Sequence, residues 1–157
     1  MRALRKDVVE LDDIDKKIIE ILQKDARTSF SRIAKMLNRS EATIHLRVKK
    51  LKEMGVLRGF YADVDPSKVG KDTVAFVLVK IDANKYPETV NDIVKLKDVY
   101  EAYDVTGEYS LLLKVIVKSR EDLASLLDVI GKFEGVQETY TMFVLRVLKE
   151  VKTVSVD

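Results

Sequence analysis

The sequence predicts an α+β protein in which a small helical domain is followed by a domain of mixed helices and strands. Within the first 54 residues, apolar side chains recur at the three- and four-residue spacing of helices. From residue 73 onward, runs of aliphatic and β-branched residues alternate with helix-like segments. The net charge is only +2, but residues 27–58 hold nine Lys or Arg against two Asp or Glu. Such a concentration is typical of a surface that faces nucleic acid, and a solvated lysine-rich helix is the alternative.

The composition excludes several kinds of site. The 157 residues include no Cys and a single His, His45, so neither disulfides nor a thiolate or multi-histidine metal centre is expected. The sequence lacks a Gly-rich phosphate loop and a nucleophile elbow, and we expect neither an enzyme nor a bound cofactor. It has no run of about 18 apolar residues, and its first 13 residues are charged where a signal peptide is apolar. We therefore expect a cytoplasmic protein that does not contact a membrane.

Three helices are predicted in the first domain, at residues 12–25, 30–37 and 40–54. Acidic or hydroxyl side chains stand at the start of each helix, where they can cap free backbone N–H groups, and Gly55 ends the third. About three residues separate the second helix from the third, which is typical of a helix-turn-helix.

The segment that follows, VLRGFYADVDP, is rich in β-forming residues and closes on an Asp-Pro pair. It predicts a strand or a small wing that leads to a linker. Residues 1–65 are therefore predicted to form a winged helix-turn-helix domain. Residues 66–73 form the linker, and residues 74–157 form the second domain.

The second domain has the predicted order β-α-β-β-α-β, which is that of a ferredoxin-like fold. Residues 93–103 and 130–140 share Ile, Lys, an apolar residue, Val, Glu and Tyr in register. Two βαβ halves related by pseudo-symmetry would produce such a repeat. The elements are predicted at residues 73–82, 87–96, 99–107, 109–117, 120–133 and 136–150.

Two predicted strands, residues 74–81 and 111–117, are apolar at almost every position. An antiparallel sheet with one solvated face shows alternation, so we expect the second face of this sheet to be buried as well. A second copy of the chain can cover it, which predicts a face-to-face homodimer. The alternative is that the helix-turn-helix domain covers this face.

The third helix carries the candidate DNA-binding residues. Its buried stripe is Ile44, Val48 and Leu51, and its other side presents small, hydrogen-bonding and basic groups that suit a major groove. Leu46 can meet a thymine methyl group and His45 can bond a base edge, although simple exposure or a subunit contact would also explain them. The candidates are Ser40, Ala42, Thr43, His45, Leu46, Arg47, Lys49 and Lys50.

Arg47 lies on the border between the buried and exposed sides of this helix. Its guanidinium group either reaches a DNA phosphate or braces the helix through a carboxylate, and the sequence favours neither. Other basic side chains of the domain are candidate phosphate contacts, which position a protein without reading the base sequence. They are Arg27, Arg32, Lys35, Arg39, Lys52 and Arg58.

Four stretches of the chain resemble the Lrp/AsnC family, also called feast/famine regulatory proteins. The stretches are LDDIDKKIIEILQKDARTSFSRIAKML, NRSEATIHLRVKKLKEMGVLRGF, VTGEYSLLLKV and GVQETYTMFVLRVLKE, and they span roughly residues 11–150. The resemblance implies a winged helix-turn-helix followed by a ferredoxin-like domain for amino-acid sensing. It also implies dimers that associate into octamers or other multimers, with an amino acid bound between dimers.

The same resemblance implies an effector site at the turn between the second and third strands. Backbone N–H groups of such a glycine turn can hold a carboxylate, although the turn and the nearby threonines can also be purely structural. Asp128 resembles the acidic partner in members that take a basic amino acid such as lysine. The family turn continues with Asp where this chain has Ser110. The implied effector-binding residues are Gly107, Glu108, Tyr109, Asp128, Thr139, Thr141 and Met142.

The leading hypothesis is a sequence-specific transcriptional regulator that binds double-stranded DNA as a dimer and responds to an amino acid, lysine or another basic one. A dimer predicts a pseudo-palindromic site with half-sites on one face of the duplex. The alternative is an architectural protein that coats DNA with little sequence preference. The basic helix-turn-helix argues against a third hypothesis, an amino-acid-binding subunit that regulates an enzyme.

Overall fold

A computed structural model describes residues 8–156, which form two compact units. The first unit contains the residues up to Asp63 together with those from Glu150 onward, and the second runs from Val64 to Lys149. The predicted second domain, residues 74–157, differs from this division after Lys149, where the chain packs with the first unit. No helix in the described part of the chain is long and apolar enough to cross a membrane.

Three helices form the first unit: α1 (Asp13–Lys24), α2 (Phe30–Leu37) and α3 (Glu41–Glu53). Each begins after an Asp or Ser side chain that accepts hydrogen bonds from backbone N–H groups of the first turn. The apolar stripes of the three helices meet in one core. Its buried members are Ile18, Ile19, Leu22, Ile33, Ala34, Ile44, Val48 and Leu51.

The connection between α2 and α3 is a tight turn that begins at Asn38. Asn38 adopts the left-handed conformation, with φ 51°, which Asn tolerates better than most residues. The backbone N–H of Arg39 donates to the carbonyl oxygen of Ala34 at 2.9 Å and so closes the end of α2. The predicted helix-turn-helix is confirmed, and this turn sets the direction in which α3 begins.

The prediction of a β-strand in the segment after Gly55 is wrong. Residues 56–65 follow Gly55 in an extended or irregular conformation, and no strand is assigned there. The segment has β-forming side chains, but no neighbouring strand of the described chain pairs with it. A β-strand depends on such a partner more than on its own composition.

The second unit is a four-stranded antiparallel sheet with two helices packed on one face. Its elements are a 3₁₀ turn (Pro66–Val69), β1 (Thr73–Ile81), α4 (Tyr86–Ile93), β2 (Val99–Asp104), β3 (Leu111–Val117), α5 (Arg120–Gly131) and β4 (Val136–Phe143). The strand order is β2-β3-β1-β4, which confirms the predicted ferredoxin-like arrangement. Residues 66–73 are thus more than a linker, because they contain the 3₁₀ turn and the first residue of β1.

Cross-strand pairing sorts the side chains onto two faces of this sheet. Ala75, Val77 and Val79 of β1 are fully buried in the core beneath α4 and α5. Phe76 and Leu78 point to the other face, which neither helix of this unit covers, and they are only partly buried. We call this second surface the open sheet face. It also carries Tyr103, Leu112, Tyr140 and Met142, which pair with these residues or with one another.

Strand β4 ends at Phe143 rather than at the predicted residue 150. Phe143 pairs with Ala75, and the backbone N–H of Val144 donates to the carbonyl oxygen of Val74 at 2.9 Å. Because β1 begins at Thr73, the strand has almost no backbone left to pair with later residues.

The chain after Glu150 packs on the helical unit. Val156 contacts the apolar core of the three helices. The Gln23 side-chain amide donates to the carbonyl oxygen of Val154 at 2.9 Å and accepts from its N–H at 2.7 Å. Lys152 is paired with Asp63. These contacts are the reason why the end of the chain belongs with the first unit.

Candidate DNA-binding surface and effector turn

Helix α3 presents one exposed side because its opposite side is held in the core. Ile44, Val48 and Leu51 are buried at 3% exposure or less, and they fix which residues face outward. Most of the predicted DNA-binding residues fall on that outward side. The exposed ones are Ser40, Ala42, His45, Leu46, Lys49 and Lys50, and Thr43 and Arg47 are partly buried.

The middle of this surface combines an apolar side chain with an imidazole ring. Leu46 is 67% exposed, so its side chain is accessible to an apolar group of a ligand. His45 packs edge-on against Phe30 of α2, with 5.6 Å between the ring centroids. The Phe30 contact orients the imidazole while leaving His45 exposed to a ligand.

The start of α3 is ordered by two hydroxyl groups. Ser40 Oγ accepts from the backbone N–H of Thr43 at 3.1 Å and lies 2.8 Å from Thr43 Oγ1. Ser40 therefore has a structural role as the N-cap of the helix. The position of Thr43 at the flank of the exposed side agrees with the predicted projection of the helix.

Arg47 binds two carboxylates of α1. Its Nη1 donates to Asp12 Oδ2 at 2.5 Å and to Asp15 Oδ1 at 2.9 Å. Asp12 also caps α1, because its Oδ1 accepts from the N–H groups of Ile14 and Asp15 at 2.9 and 2.8 Å. The sequence left two interpretations open, a contact of Arg47 with a DNA phosphate or with a carboxylate of the protein. The structure shows the contact with carboxylates.

These bonds shift the proton affinities of both partners. The backbone N–H of Asp15 and the Arg47 guanidinium hold the pKa of Asp12 below its usual value. Hydrogen bonds from Arg47 to Asp12 and Asp15 raise the pKa of the guanidinium above its usual value. Both groups are therefore charged across the physiological pH range.

The buried position of Asp15 is not among the predictions made from the sequence. Asp15 is 6% exposed and shares the buried side of α1 with Ile19 and Leu22. Asp15 precedes the core positions Ile19 and Leu22 by four and seven residues. This spacing indicates a carboxylate on the buried side of the helix, where a charge requires a partner.

The remaining predicted DNA contacts are all exposed in the first unit, at the helices, the turn and the segment after α3. Lys49 is 3.9 Å from Glu53 in an exposed pair that contributes little to stability, so its ammonium group is available. The candidate phosphate contacts are Arg27, Arg32, Lys35, Arg39, Lys52 and Arg58.

The implied effector turn connects β2 to β3. Gly107 has φ +123°, a conformation that L side chains rarely adopt, and open space surrounds the position of a Cβ. Glycine is therefore required here by backbone conformation and not by crowding. Gly107 and Glu108 are exposed and Tyr109 is partly buried.

The side chains of the turn join a polar cluster with aromatic neighbours. Glu108 is paired with Lys80 at 3.2 Å, and Tyr109 donates to Glu138 at 3.2 Å. The Tyr109 ring lies 6.3 Å from that of Tyr140 on the open sheet face. Burial, and then the hydrogen bond to Glu138, raise the pKa of Tyr109.

Ser110, where the family pattern has Asp, contains a buried hydroxyl with no hydrogen-bond partner among the described residues. Its backbone is well held, since its N–H donates to Val79 and its carbonyl accepts from Val105 and lies 3.2 Å from the Tyr86 hydroxyl. Tyr86 donates to Asp104, and burial raises the pKa of Tyr86.

The implied effector residues of β4 do not share one face. Thr139 and Thr141 pair with Val79 and Val77, so they point to the side of the sheet on which α5 packs. Met142 pairs with Phe76 and points to the open sheet face. Asp128 is exposed on α5. Among residues 8–156, no group of three or more Asp, Glu, His or Cys side chains is arranged to hold a metal ion.

Two family descriptions match the two units of the chain. The AsnC-type helix-turn-helix domain matches residues 11–52, and the Lrp/AsnC ligand binding domain matches residues 74–154. Together they cover nearly all of α1 to α3 and of the four strands, and the second match extends to residue 154, past the end of the sheet unit.

Curated relatives and solved structures agree with these matches. The HTH-type transcriptional regulator FL11 of Pyrococcus furiosus is 46% identical over 140 residues, which are 89% of this chain and 93% of that protein. The structure of AsnC from E. coli is similar with a TM-score of 0.87 and 34% identity, covering 94% of this chain and 99% of that one. A complex of the regulator NMB0573 from Neisseria meningitidis with L-Met has a TM-score of 0.85 and 25% identity, covering 92% and 96% of the two chains. The chain belongs to the Lrp/AsnC family of transcriptional regulators, with a helix-turn-helix unit for DNA binding and a ligand-binding sheet unit, and it is not an enzyme.

Proposed function

We propose that the protein is a sequence-specific regulator that reads DNA with the exposed side of α3. The observation that carries this proposal is the combination on one helix side of His45, Leu46, Lys49 and Lys50. These side chains supply a hydrogen-bonding ring, an apolar contact for a thymine methyl group, and two cations for base edges or phosphates. Basic groups around this surface would position the helix along the duplex.

The open sheet face supports a homodimer. It presents Tyr140 and Met142 at 54% and 42% exposure beside the partly buried Phe76 and Leu78. Aromatic residues and Met are enriched at protein interfaces, and a second copy would bury this surface against itself. A dimer places two recognition helices about one helical turn of DNA apart, so the operator is pseudo-palindromic.

The ligand of the sheet unit is proposed to be an amino acid, lysine or another basic one. The backbone at Gly107 can hold a carboxylate, and the exposed carboxylate of Asp128 can accept from a cationic side chain. Thr139 and Thr141 supply hydroxyl groups. A related regulator is known as a complex with L-Met. Because these residues lie on separate elements and faces of one protomer, the proposed site requires residues from neighbouring dimers of a higher multimer such as an octamer.

The test is a selection of duplexes from a random-sequence library, followed by a gel-shift assay at one salt concentration. We expect the selected duplex to bind at least about a thousandfold more tightly than random duplex. A ratio near one contradicts sequence-specific binding and favours the architectural coat.

The assay is then repeated with Lys49→Glu combined with Lys50→Glu. The matched control is Lys17→Glu combined with Lys24→Glu, which makes the same change in net charge on the exposed side of α1. We expect the α3 variant to lose specific binding and the α1 variant to keep most of it. Equal losses in the two variants would overturn the proposed role of α3.

A further inference from the structure

We propose that Arg47 acts in DNA recognition as a positioning residue, which holds α3 at the required angle through Asp12 and Asp15 and makes no contact with DNA itself. This inference rests on the proposed role of α3. It assigns a function to two acidic residues that lie outside the basic surface. Removing a negative charge from the protein at Asp15 should therefore weaken its binding to a polyanion.

The guanidinium group is engaged by two carboxylates at once. Arg47 Nη1 lies 2.5 Å from Asp12 Oδ2 and 2.9 Å from Asp15 Oδ1, and the two acids are 35 and 32 residues distant in the chain. Each Asp12 oxygen has its own role, since Oδ1 caps α1 and Oδ2 binds Arg47. The start of α1 and the middle of α3 are thus joined by one charge-assisted network.

A DNA phosphate would have to compete with this network. The Asp15 side chain is 8% exposed, and Arg47 is its cationic partner. If Arg47 turned outward to a phosphate, the Asp15 carboxylate would remain buried without that cation, which is strongly unfavourable. The arrangement therefore keeps Arg47 on α1 when DNA is bound.

The apolar core fixes which side of α3 faces outward, and the hydrogen bonds of Arg47 restrict the helix further within that arrangement. Ile44, Val48 and Leu51 set the buried side, but their contacts have no strong directional preference, because the hydrophobic effect follows buried area. The hydrogen bonds of Arg47 have a preferred length and angle, so they restrict the rotation of the helix about its axis. Leu46 precedes Arg47 and Lys50 follows it by three residues, so a small rotation at Arg47 displaces both.

The experiment measures the dissociation constant of a selected duplex as a function of salt for the full chain. The variants are Arg47→Ala and Asp15→Asn. Asp13→Asn is the matched control, since it removes a neighbouring, exposed carboxylate from the same first turn of α1. Lys50→Ala reports the effect of removing an exposed cation of α3. Circular dichroism at the assay temperature checks that each variant is folded.

We expect Arg47→Ala and Asp15→Asn each to raise the dissociation constant by about tenfold, because Leu46 and Lys50 are then no longer held in place before DNA binds and must be ordered on binding. The slope of log K against log salt should stay at the wild-type value in both, because no phosphate contact is removed. Asp13→Asn should bind as well as the wild type or slightly more tightly. If Lys50 contacts a phosphate, Lys50→Ala lowers the slope by about 0.9.

Two results overturn the proposal: a slope that falls by about 0.9 in Arg47→Ala, or tighter binding by Asp15→Asn. If one of these variants does not fold, Asp12→Asn decides, because Asn keeps the cap of α1 but removes the charge opposite Arg47. It should weaken binding with an unchanged slope, and unchanged or tighter binding overturns the proposal. A failure of the proposed role of α3 itself would look different. In that case Lys50→Ala changes neither the affinity nor the slope, and the variant that combines Lys49→Glu with Lys50→Glu also binds normally.

Discussion

Thr89 and Gly135 lie in direct contact where α4 meets the loop before β4. A Cβ atom on Gly135 would be 2.7 Å from Thr89 Oγ1 and 2.6 Å from the Cβ of Lys85. Gly135 also has φ +98°. The buried Thr89 hydroxyl lies 2.5 Å from the carbonyl oxygen of Glu134, so it ties α4 to the backbone beside this glycine.

We expect Gly135→Ala to lower the free energy of unfolding by about 2 kcal/mol or more, because it adds both backbone strain and a clash. Gly131→Ala is the control, since no atom lies within 4 Å of a Cβ there and the residue is helical. That control should be neutral or stabilising by up to about 1 kcal/mol. Urea denaturation of both variants measures the difference, and equal stabilities would contradict the contact.

The network at Asp12 predicts a specific pH dependence. Because the folded state lowers the pKa of Asp12 from its ordinary value of 3.8, the ionised carboxylate stabilises the fold above that value. The contribution is lost as the pH falls through the lowered pKa. Asp12→Asn keeps the cap but not the charge. We expect the stability gap between wild type and Asp12→Asn to be constant from about pH 5 to 7 and to close in more acidic solution.

Denaturation curves of both proteins at a series of pH values measure this gap. The gap itself should be small because Asp12 is half exposed, where solvent screens the ion pair. A gap that widens as the pH falls would contradict the assignment of Asp12 as the titrating group.

The open sheet face predicts the effect of one charge on assembly. Leu78 lies at its centre, paired with Leu112 on β3 and with Tyr140 on β4. Leu78→Glu should dissociate the proposed dimer, because it places a carboxylate in an apolar interface. Val129→Glu is the control, since Val129 is 43% exposed on α5, away from this face. Sedimentation velocity measures the mass of each variant, and a Leu78→Glu protein that remains dimeric would place the interface elsewhere.

The proposed ligand predicts a role for Asp128. Titration calorimetry with each of the twenty amino acids should give heat with lysine or another basic amino acid. We expect Asp128→Asn to weaken that binding by about tenfold, because a charge-assisted hydrogen bond is lost. Asp92→Asn, a change of the same type on α4, should have no effect. Heat with a neutral amino acid alone would contradict the role of Asp128.

The local sequence pattern is sufficient to predict elements whose ends are set by neighbouring residues. Helix α2 begins at Phe30 and ends at Leu37, as predicted, because Ser29 caps its start and Asn38 supplies a left-handed stop. The strand order of the second unit also followed from the pattern of alternating elements. The bounds of α2 depend on features that a short window of sequence contains, whereas the strand order follows from the succession of elements along the whole unit.

The local pattern does not predict contacts between residues that are distant in the chain. The segment after Gly55 and the end of the chain after Phe143 have β-forming residues, but strand pairing needs a neighbour that the sequence does not reveal. For Arg47, spacing placed the guanidinium at a border and could not choose between a phosphate and a carboxylate. The choice depends on Asp15, 32 residues earlier.

The return of the chain to the helical unit has a consequence for proteolysis. The polypeptide leaves that unit between Asp63 and Val64 and re-enters it between Lys149 and Glu150, so the sheet unit is an insertion with two covalent attachments. A proteolytic nick between Lys149 and Glu150 therefore leaves the helices covalently joined to the sheet unit. A nick between Asp63 and Val64 leaves them joined only through the packing of the residues after Glu150.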